Sequence, residues 1–123
     1  MKLLVVDDEQ DVQLLFLQKF RKELKAGELE MAFAFSGEAA LEHLGHEEEP
    51  PKDLVLSDIN MPGMNGIELL KIIKDRYPQL PVFMITAYGD EEYYNSAMAN
   101  GADDYFIKPI EFNMLKTKLS NIQ

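Results

Sequence analysis

Hydrophobic residues in this chain fall into five short runs separated by longer amphipathic stretches. The runs at 2–6, 54–56, 81–86 and 105–107 are continuous, as in strands that are buried on both faces of a sheet. The run at 29–35 alternates large apolar residues with smaller or polar ones, which is typical of a strand nearer the edge. The pattern therefore predicts five strands.

The stretches between these runs carry apolar residues at helical spacing. Residues 12–24 place Phe16, Phe20 and Leu24 on one face, and Gly27 provides an end for this first predicted helix. Asn65 followed by Glu68 forms a capping-box pattern, and Ser36 and Asp90 are typical N-cap residues. The other four helices are predicted to run from Ser36 to about residue 46, from Asn65 to Tyr77, from Asp90 to Gly101, and over residues 111–122.

Strict alternation of strands and helices determines the fold class. Such a chain forms a parallel sheet covered by helices on both faces, with right-handed crossovers. Five strands most often adopt the order 2-1-3-4-5, so we predict an α/β, flavodoxin-like (βα)5, doubly wound fold. With 123 residues, no internal repeat and no linker, the chain is predicted to be a single domain spanning residues 1–123.

Composition narrows the function classes. The chain has 12 basic and 22 acidic residues, and its formal net charge of −10 opposes direct binding to nucleic acid or to an anionic membrane. The absence of cysteine excludes disulfides and thiolate metal sites. No signal peptide precedes the first strand, and its closeness to Met1 predicts a natural amino end, whereas the carboxyl end carries no such mark. We expect a soluble, cytoplasmic protein.

Functional groups follow four of the five predicted strands: Asp7 and Asp8 the first, Asp58 the third, Thr86 the fourth and Lys108 the fifth. In the order 2-1-3-4-5 the first and third strands are neighbours, so the three acids should share one pocket. Two charges ~4 Å apart repel by about 4 kcal/mol at an effective dielectric near 20, so the cluster keeps protons or holds a cation. Oxygen ligands without histidine or cysteine favour Mg²⁺ or Mn²⁺.

Lys108 and Thr86 suit the same pocket to a tetrahedral anion. An ammonium supplies a point charge and a hydroxyl supplies a hydrogen-bond donor. Together with an acid cluster, these groups indicate phosphoryl transfer, with the carboxylate of Asp58 as nucleophile.

Four sequence motifs resemble those of one known family. They are Val-Val-Asp-Asp-Glu at 5–9, Ser-Asp-Ile-Asn-Met-Pro-Gly-Met-Asn-Gly at 57–66, Ile-Thr-Ala at 85–87 and Tyr-Phe-Ile-Lys-Pro at 105–109. Each motif alone is modest, but their joint order and spacing are specific. Over essentially its whole length the chain resembles a response-regulator receiver domain of two-component signalling, of the chemotaxis-regulator type.

The resemblance implies a role for each residue of the pocket. Asp58 would accept a phosphoryl group from a phosphohistidine on a sensor histidine kinase or a phosphotransfer protein. Mg²⁺ would be held by Asp8, Asp58 and the backbone carbonyl of Asn60, and Asp7 would contact the metal through water. Lys108 would pair with the aspartyl phosphate. Such a domain assists its own phosphotransfer and its slow autodephosphorylation, but it is not an enzyme acting on an external metabolite.

The resemblance also implies how the signal leaves the site. Thr86 would move toward the phosphate and draw Tyr105 from an outward to an inward rotamer. The surface of the fourth predicted helix, the fifth strand and the fifth helix would then change, and an effector or output domain would bind around Tyr93, Tyr94 and Met98. Tyr105 has an alternative role, because an aromatic residue in a last strand is more often a core residue than a switch. The sequence leaves open whether the same surface forms a homodimer.

Three residues beside the pocket correspond to positions that tune phosphate hydrolysis in this family: Asn60, Ala87 and Tyr88. Tyr88 is bulky, so we expect it to slow the attack of water on the aspartyl phosphate. The same resemblance implies a cis bond between Lys108 and Pro109.

Three other functions compete with the receiver assignment. A haloacid-dehalogenase-like phosphatase, which uses Mg²⁺ and an aspartyl phosphate, needs a second acid two positions after its nucleophile, where this chain has Asn60. A flavodoxin-like cofactor binder needs a Ser/Thr/Gly-rich loop after the first strand, where Asp7 and Asp8 would repel phosphate. A receiver-like interaction module that is not phosphorylated has no need of the complete acid set.

Overall fold

Five parallel strands alternate with helices, which confirms the predicted fold class. The computed structural model describes residues 1–87 and 91–122, so Tyr88 and the predicted cap Asp90 lie outside the described residues. The strands are β1 (Lys2–Val6), β2 (Glu30–Ala34), β3 (Leu54–Asp58), β4 (Val82–Thr86) and β5 (Asp104–Ile107). The helices are α1 (Asp11–Lys19), α2 (Arg21–Lys25), α3 (Gly37–Leu44), α4 (Gly66–Arg76), α5 (Glu91–Ala99) and α6 (Phe112–Ile122). The sheet order is β2-β1-β3-β4-β5, as predicted.

The first predicted helix is divided in two, so the prediction of one helix over residues 12–24 was wrong in detail. Phe20 separates α1 from α2 with φ −106° and ψ 19°, although its N–H still donates to the Phe16 carbonyl at 3.0 Å. The Phe20 ring is buried, stacks on Phe16 and meets Phe112 edge-on. Burial of this aromatic ring outweighs the weak preference of one residue for helical dihedrals.

Alternate residues of the central strands face two separate cores. Leu4 and Val55 point into the core beneath α3 and α4, whereas Leu3 and Leu56 point into the core beneath α1 and α6. All five residues of β3 are buried, as expected for a central strand of a parallel sheet. Among the described residues, no helix has both the length and the apolar character required to cross a lipid bilayer.

Two helix starts are fixed by the caps that the sequence predicts. The Ser36 hydroxyl accepts the N–H of Ala39 at 3.0 Å and begins α3. At the start of α4 the Glu68 N–H donates to the Asn65 side chain at 2.9 Å, and the Asn65 N–H donates to the Glu68 carboxylate at 3.4 Å. These two helix starts flank the loop that follows Asp58.

Gly66 allows this loop to close tightly on the end of β3, since its N–H donates to the Ile59 carbonyl at 2.8 Å. A Cβ at this position would collide with the Asp58 carbonyl oxygen and lie 2.7 Å from the Ile59 Cα. We therefore expect Gly66→Ala to lower the free energy of unfolding by about 1–3 kcal/mol, the range for overpacked sites, as measured by urea denaturation. Ser120→Ala on the exposed side of α6 is the control, and equal stability of the two variants would contradict the close approach.

Candidate functional site

Three carboxylates from two neighbouring strand ends meet at one edge of the sheet. β1 pairs with β3 so that Val6 lies opposite Ser57, which places the following residues, Asp7 and Asp58, side by side. Carboxylate oxygens of Asp7, Asp8 and Asp58 all lie within 4.8 Å of one another. Asp7 and Asp58 are only 4% and 5% exposed, whereas Asp8 is exposed. The strand order therefore produces the acid pocket that the sequence predicts.

Lys108 reaches the same pocket from the end of β5. Its Nζ lies 2.9 Å from Asp7 Oδ2 and 3.6 Å from Asp58 Oδ2. Its backbone N–H donates to the Thr86 carbonyl at 2.7 Å, which fixes the lysine beside the end of β4. The bond between Lys108 and Pro109 is cis, as the resemblance implies. The ammonium thus bridges two acids and binds Asp7 more closely.

Asp7 is held on both of its carboxylate oxygens. Oδ1 accepts the backbone N–H of Glu9 at 3.0 Å, and Oδ2 accepts the Lys108 ammonium at 2.9 Å. Each oxygen therefore has a protein partner at hydrogen-bonding distance. Asp7 thereby fixes the position of the Lys108 ammonium in the pocket.

The pocket is electrostatically strained. Burial, and then the negative charge of Asp7, raise the pKa of Asp58 to about 6, and Asp8 adds to this effect while Lys108 opposes it. Burial alone would lower the pKa of Lys108, but its hydrogen bond to Asp7 and its attraction to Asp58 raise that pKa above its ordinary value. Lys108 therefore stays charged at neutral pH, and its one ammonium pairs with two of the three carboxyl groups in the cluster, Asp7 and Asp58. A divalent cation would balance the remaining negative charge.

Thr86 and Ala87 lie at the end of β4, the strand that pairs with β3, and Asn60 follows Asp58 by two residues. Asp58 lies opposite Ile85 in the β3–β4 pairing, so Thr86 is one residue further along the adjacent strand, where it is fully buried. Ala87 follows it and is exposed, as is Asn60 in the loop after Asp58. The roles of Asn60 and Ala87 in tuning hydrolysis stay predictions, and Tyr88 is outside the described residues.

Tyr105 belongs to β5, and its ring contacts α5. It is half-buried, its hydroxyl oxygen is covered, and its ring meets Tyr94 edge-on at 5.3 Å between centroids. Tyr94 and Met98 are exposed to 46% and 39%, whereas Tyr93 packs against the core. Ile107 was not among the predicted site residues; it is 51% exposed and lies two residues after Tyr105 on the edge strand β5. Side chains alternate between the two faces of a strand, so residues 105 and 107 lie on the same face of β5. This alternation is the sequence signal that could have identified Ile107.

A groove beside the pocket was also missed. It has a volume of about 770 Å³, lies between α1 and the start of α6, and is lined by Leu15, Phe16 and Phe112 among others. Ala87 and Lys108 also line it, so the groove adjoins the acid pocket. Most of the residues that line the groove come from α1 and α6, which lie near opposite ends of the chain, so no local sequence pattern predicts it.

Comparisons with known proteins point to one family. A family model described as the response regulator receiver domain matches residues 3–120. The chain is 41% identical over 114 residues to the response regulator protein FleR of Pseudomonas aeruginosa. This match covers 93% of this chain and 23% of FleR. It is 38% identical to the DNA-binding transcriptional regulator NtrC of Escherichia coli, covering 89% of this chain and 22% of NtrC. The chain thus spans less than a quarter of either relative.

Among solved structures, the chain is similar to the response regulator protein TrrA of Thermotoga maritima, whose structure was determined in complex with Mg²⁺ and beryllium fluoride. The two share 32% sequence identity with a TM-score of 0.79, and the match covers 99% of this chain and 98% of TrrA. This similarity extends over the whole sheet and its helices.

Proposed function

The chain belongs to the family of response regulator receiver domains of two-component systems, and on that premise we propose that it is a phosphorylation-controlled switch whose phosphoacceptor is Asp58. The observation that carries the proposal is the convergence of Asp7, Asp8 and Asp58 at the carboxyl edge of the sheet, where the Lys108 ammonium lies 2.9 Å from Asp7 and 3.6 Å from Asp58. Open parallel sheets bind their ligands at this edge, beside the switch in strand order.

The donor set fits Mg²⁺, or Mn²⁺ in its place. Carboxylate oxygens within 4.8 Å of one another are hard ligands, and hard divalent cations prefer oxygen. Asp8, Asp58 and the backbone carbonyl of Asn60 would hold the ion, and Asp7 would contact it through water because both of its oxygens already have protein partners. Bound Mg²⁺ would neutralise negative charge on the transferring phosphoryl group. The TrrA complex with Mg²⁺ and beryllium fluoride supports this assignment by similarity.

The transfer itself requires a nucleophile and a leaving group. An oxygen of the Asp58 carboxylate attacks phosphorus, the phosphorus–nitrogen bond of a phosphohistidine breaks, and the imidazole leaves with that electron pair and takes up a proton. Because the pKa of Asp58 is about 6, the nucleophilic carboxylate form predominates at neutral pH. Lys108, which lies 3.6 Å from Asp58 and keeps its charge, would pair with the new aspartyl phosphate.

The donor is a sensor histidine kinase or a phosphotransfer protein. Asp58 is only 5% exposed, so the phosphohistidine has to enter from the open edge of the pocket. The groove between α1 and α6 adjoins that edge at Lys108 and offers the apolar side chains of Leu15 and Phe112. We place the main donor contact there, since apolar surface beside a buried acceptor supplies binding free energy without adding charge.

Output leaves on the opposite side of Lys108. Movement of Thr86 toward the phosphate would change the packing of Tyr105, which already contacts Tyr94 edge-on. The exposed apolar residues Tyr94, Met98 and Ile107 beside this contact would bind an effector or an output domain. A ligand that favours one arrangement of these residues shifts their populations, which is how a local charge alters a distant surface.

Mass spectrometry of the intact protein tests the proposal. Incubation with acetyl phosphate is expected to add one phosphoryl group in the presence of Mg²⁺ and none in the presence of EDTA. The mimic beryllium fluoride should shift the amide resonances of Thr86 and Lys108 under the same Mg²⁺ dependence. If neither reagent modifies or binds the protein, the receiver-like module that is not phosphorylated becomes the better assignment.

Tyr88 is proposed to protect the aspartyl phosphate from water. Replacing it by alanine is expected to shorten the aspartyl-phosphate half-life by about threefold, or roughly 0.7 kcal/mol of activation free energy, because a bulky neighbour hinders the attacking water. Loss of the phosphorylated mass after removal of acetyl phosphate gives the half-life directly. Met114→Ala, which removes an exposed side chain from α6, is the control, and an unchanged half-life in Tyr88→Ala would refute this role.

A further inference from the structure

The loop between β3 and α4, residues 59–65, carries Asn60. One carbonyl at its start accepts hydrogen bonds both from within the loop and from the first residue of α4. Ile59 O accepts the N–H of Met61 at 3.1 Å and the N–H of Gly66 at 2.8 Å. Two methionines anchor the middle of this β3–α4 loop: Met61 belongs to the buried core, and Met64 packs against the same core. The position of the Asn60 backbone therefore depends on how these methionines are seated.

Met64 is seated on Gly37, the first residue of α3. A Cβ at Gly37 would lie 2.7 Å from Met64 Sδ, 3.0 Å from its Cγ and 3.1 Å from its Cβ. Rotation of the side chain can move Sδ and Cγ, but Cβ follows the backbone, so a larger residue at position 37 has to displace the loop itself. The loop also approaches α3 at a second point, where a Cβ at Gly63 would lie 3.9 Å from Glu38 Oε1.

No other local requirement accounts for glycine at position 37. Its φ is not in the left-handed region, unlike those of Gly27, Gly45, Gly63 and Gly101. The start of α3 is already capped by Ser36, and glycine within a helix is less favourable than alanine. The close approach of Met64 is what excludes a side chain here.

We infer that Gly37 is a positioning residue for the metal site, acting through Met64 and the β3–α4 loop. The notch at Gly37 seats Met64, and the seated Met64 holds the loop so that the Asn60 carbonyl is presented to the acid pocket. The inference rests on the proposed function, in which that carbonyl binds Mg²⁺. Mg²⁺ tolerates little departure from octahedral geometry, so a displacement of a few tenths of an ångström in the loop reduces its affinity. Changes in groups that support metal ligands commonly weaken binding by 10–100-fold.

A double-mutant cycle tests the inference, using wild type, Gly37→Ala, Met64→Gly and the double variant. Two properties are measured: the Mg²⁺ dissociation constant from a titration followed by amide resonances, and the metal-free amide shifts of Asn60 and Met61. Gly37→Ala is expected to weaken Mg²⁺ binding by about tenfold in the wild-type background. In the Met64→Gly background position 64 has no side chain, so the methyl group added at position 37 has room and its further effect on both properties should be close to none.

Controls separate positioning from a general loss of stability. Met114→Ala removes a methionine that is 55% exposed on α6 and should leave Mg²⁺ affinity unchanged. If Gly37→Ala lowers the melting temperature but leaves Mg²⁺ affinity unchanged, or weakens affinity equally in both backgrounds, the inference is overturned while the proposed function stands. If wild type binds no Mg²⁺, the proposed function and the inference both fail.

Discussion

Replacing Asp58 by asparagine is expected to abolish Mg²⁺-dependent phosphorylation by acetyl phosphate, lowering its rate by about a thousandfold or more, because the amide is not a competent nucleophile. The substitution preserves size and hydrogen-bonding shape at a position that is only 5% exposed. Asp7 cannot easily take over, since its two oxygens are engaged by Lys108 and by the N–H of Glu9. Mass spectrometry of the intact protein over time measures the rate.

The matched control is Asp75→Asn, which removes an exposed carboxylate from α4 and should be phosphorylated at the wild-type rate. Labelling of Asp58→Asn at the wild-type rate would mean that the acceptor lies elsewhere. Asp8 would then be the first alternative, because it is the exposed member of the three-acid cluster. Peptide mapping of the modified protein distinguishes the two positions.

The arrangement of the acid pocket follows from the sequence because strand ends are easy to recognise. Asp7 and Asp58 each follow a run of apolar residues, and a parallel sheet brings the carboxyl ends of its strands to one edge. Once the order 2-1-3-4-5 is assumed, the two acids become neighbours although they are far apart in the chain. Lys108 and Thr86 are placed by the same rule. Fold and pocket membership therefore depend on patterns of local sequence.

Features that depend on tertiary packing were not predictable in this way. The break at Phe20 arises from the contacts of its ring with Phe16 and Phe112, and Phe112 lies in the last helix. The Lys108 ammonium is closer to Asp7 than to Asp58, but its distances to the two carboxylates differ by less than an ångström. Helical and strand periodicities identify the buried face of an element, but they do not specify which side chain of another element fills a given space.

The contact between Gly37 and Met64 is another packing feature that the sequence does not predict. Both residues are visible in the sequence, one directly after a helix cap and the other directly after a Pro-Gly pair, but neither position by itself points to the other. Only the packing of α3 against the β3–α4 loop reveals that they occupy one space. Residues that position a site through a neighbour carry no chemical signature, so they are found from distances and not from motifs.

Asp58 is also expected to make the metal-free protein less stable as the pH rises. Its pKa is about 6 in the folded protein against an ordinary value of 3.8, so between these values the folded state holds a proton that the unfolded state has released. The raised pKa destabilises the fold fully above pH ~6 and not at all below ~3.8. A difference of about two pKa units corresponds to about 3 kcal/mol.

Urea denaturation in EDTA at several pH values should reveal this penalty as a difference between wild type and Asp58→Asn. The variant is expected to be more stable by up to about 3 kcal/mol at pH 8, and the difference should vanish toward pH 4, where the wild-type carboxyl is protonated. Asp75→Asn should instead follow the wild-type profile. Parallel pH profiles for wild type and Asp58→Asn would contradict a strained carboxylate.

Added Mg²⁺ should stabilise wild type more than Asp58→Asn, because a ligand stabilises the folded state more strongly the higher its affinity for that state. Burial of Asp58 and its repulsion by the neighbouring acids, which weaken the metal-free fold, are thus the same effects that a bound divalent cation would offset.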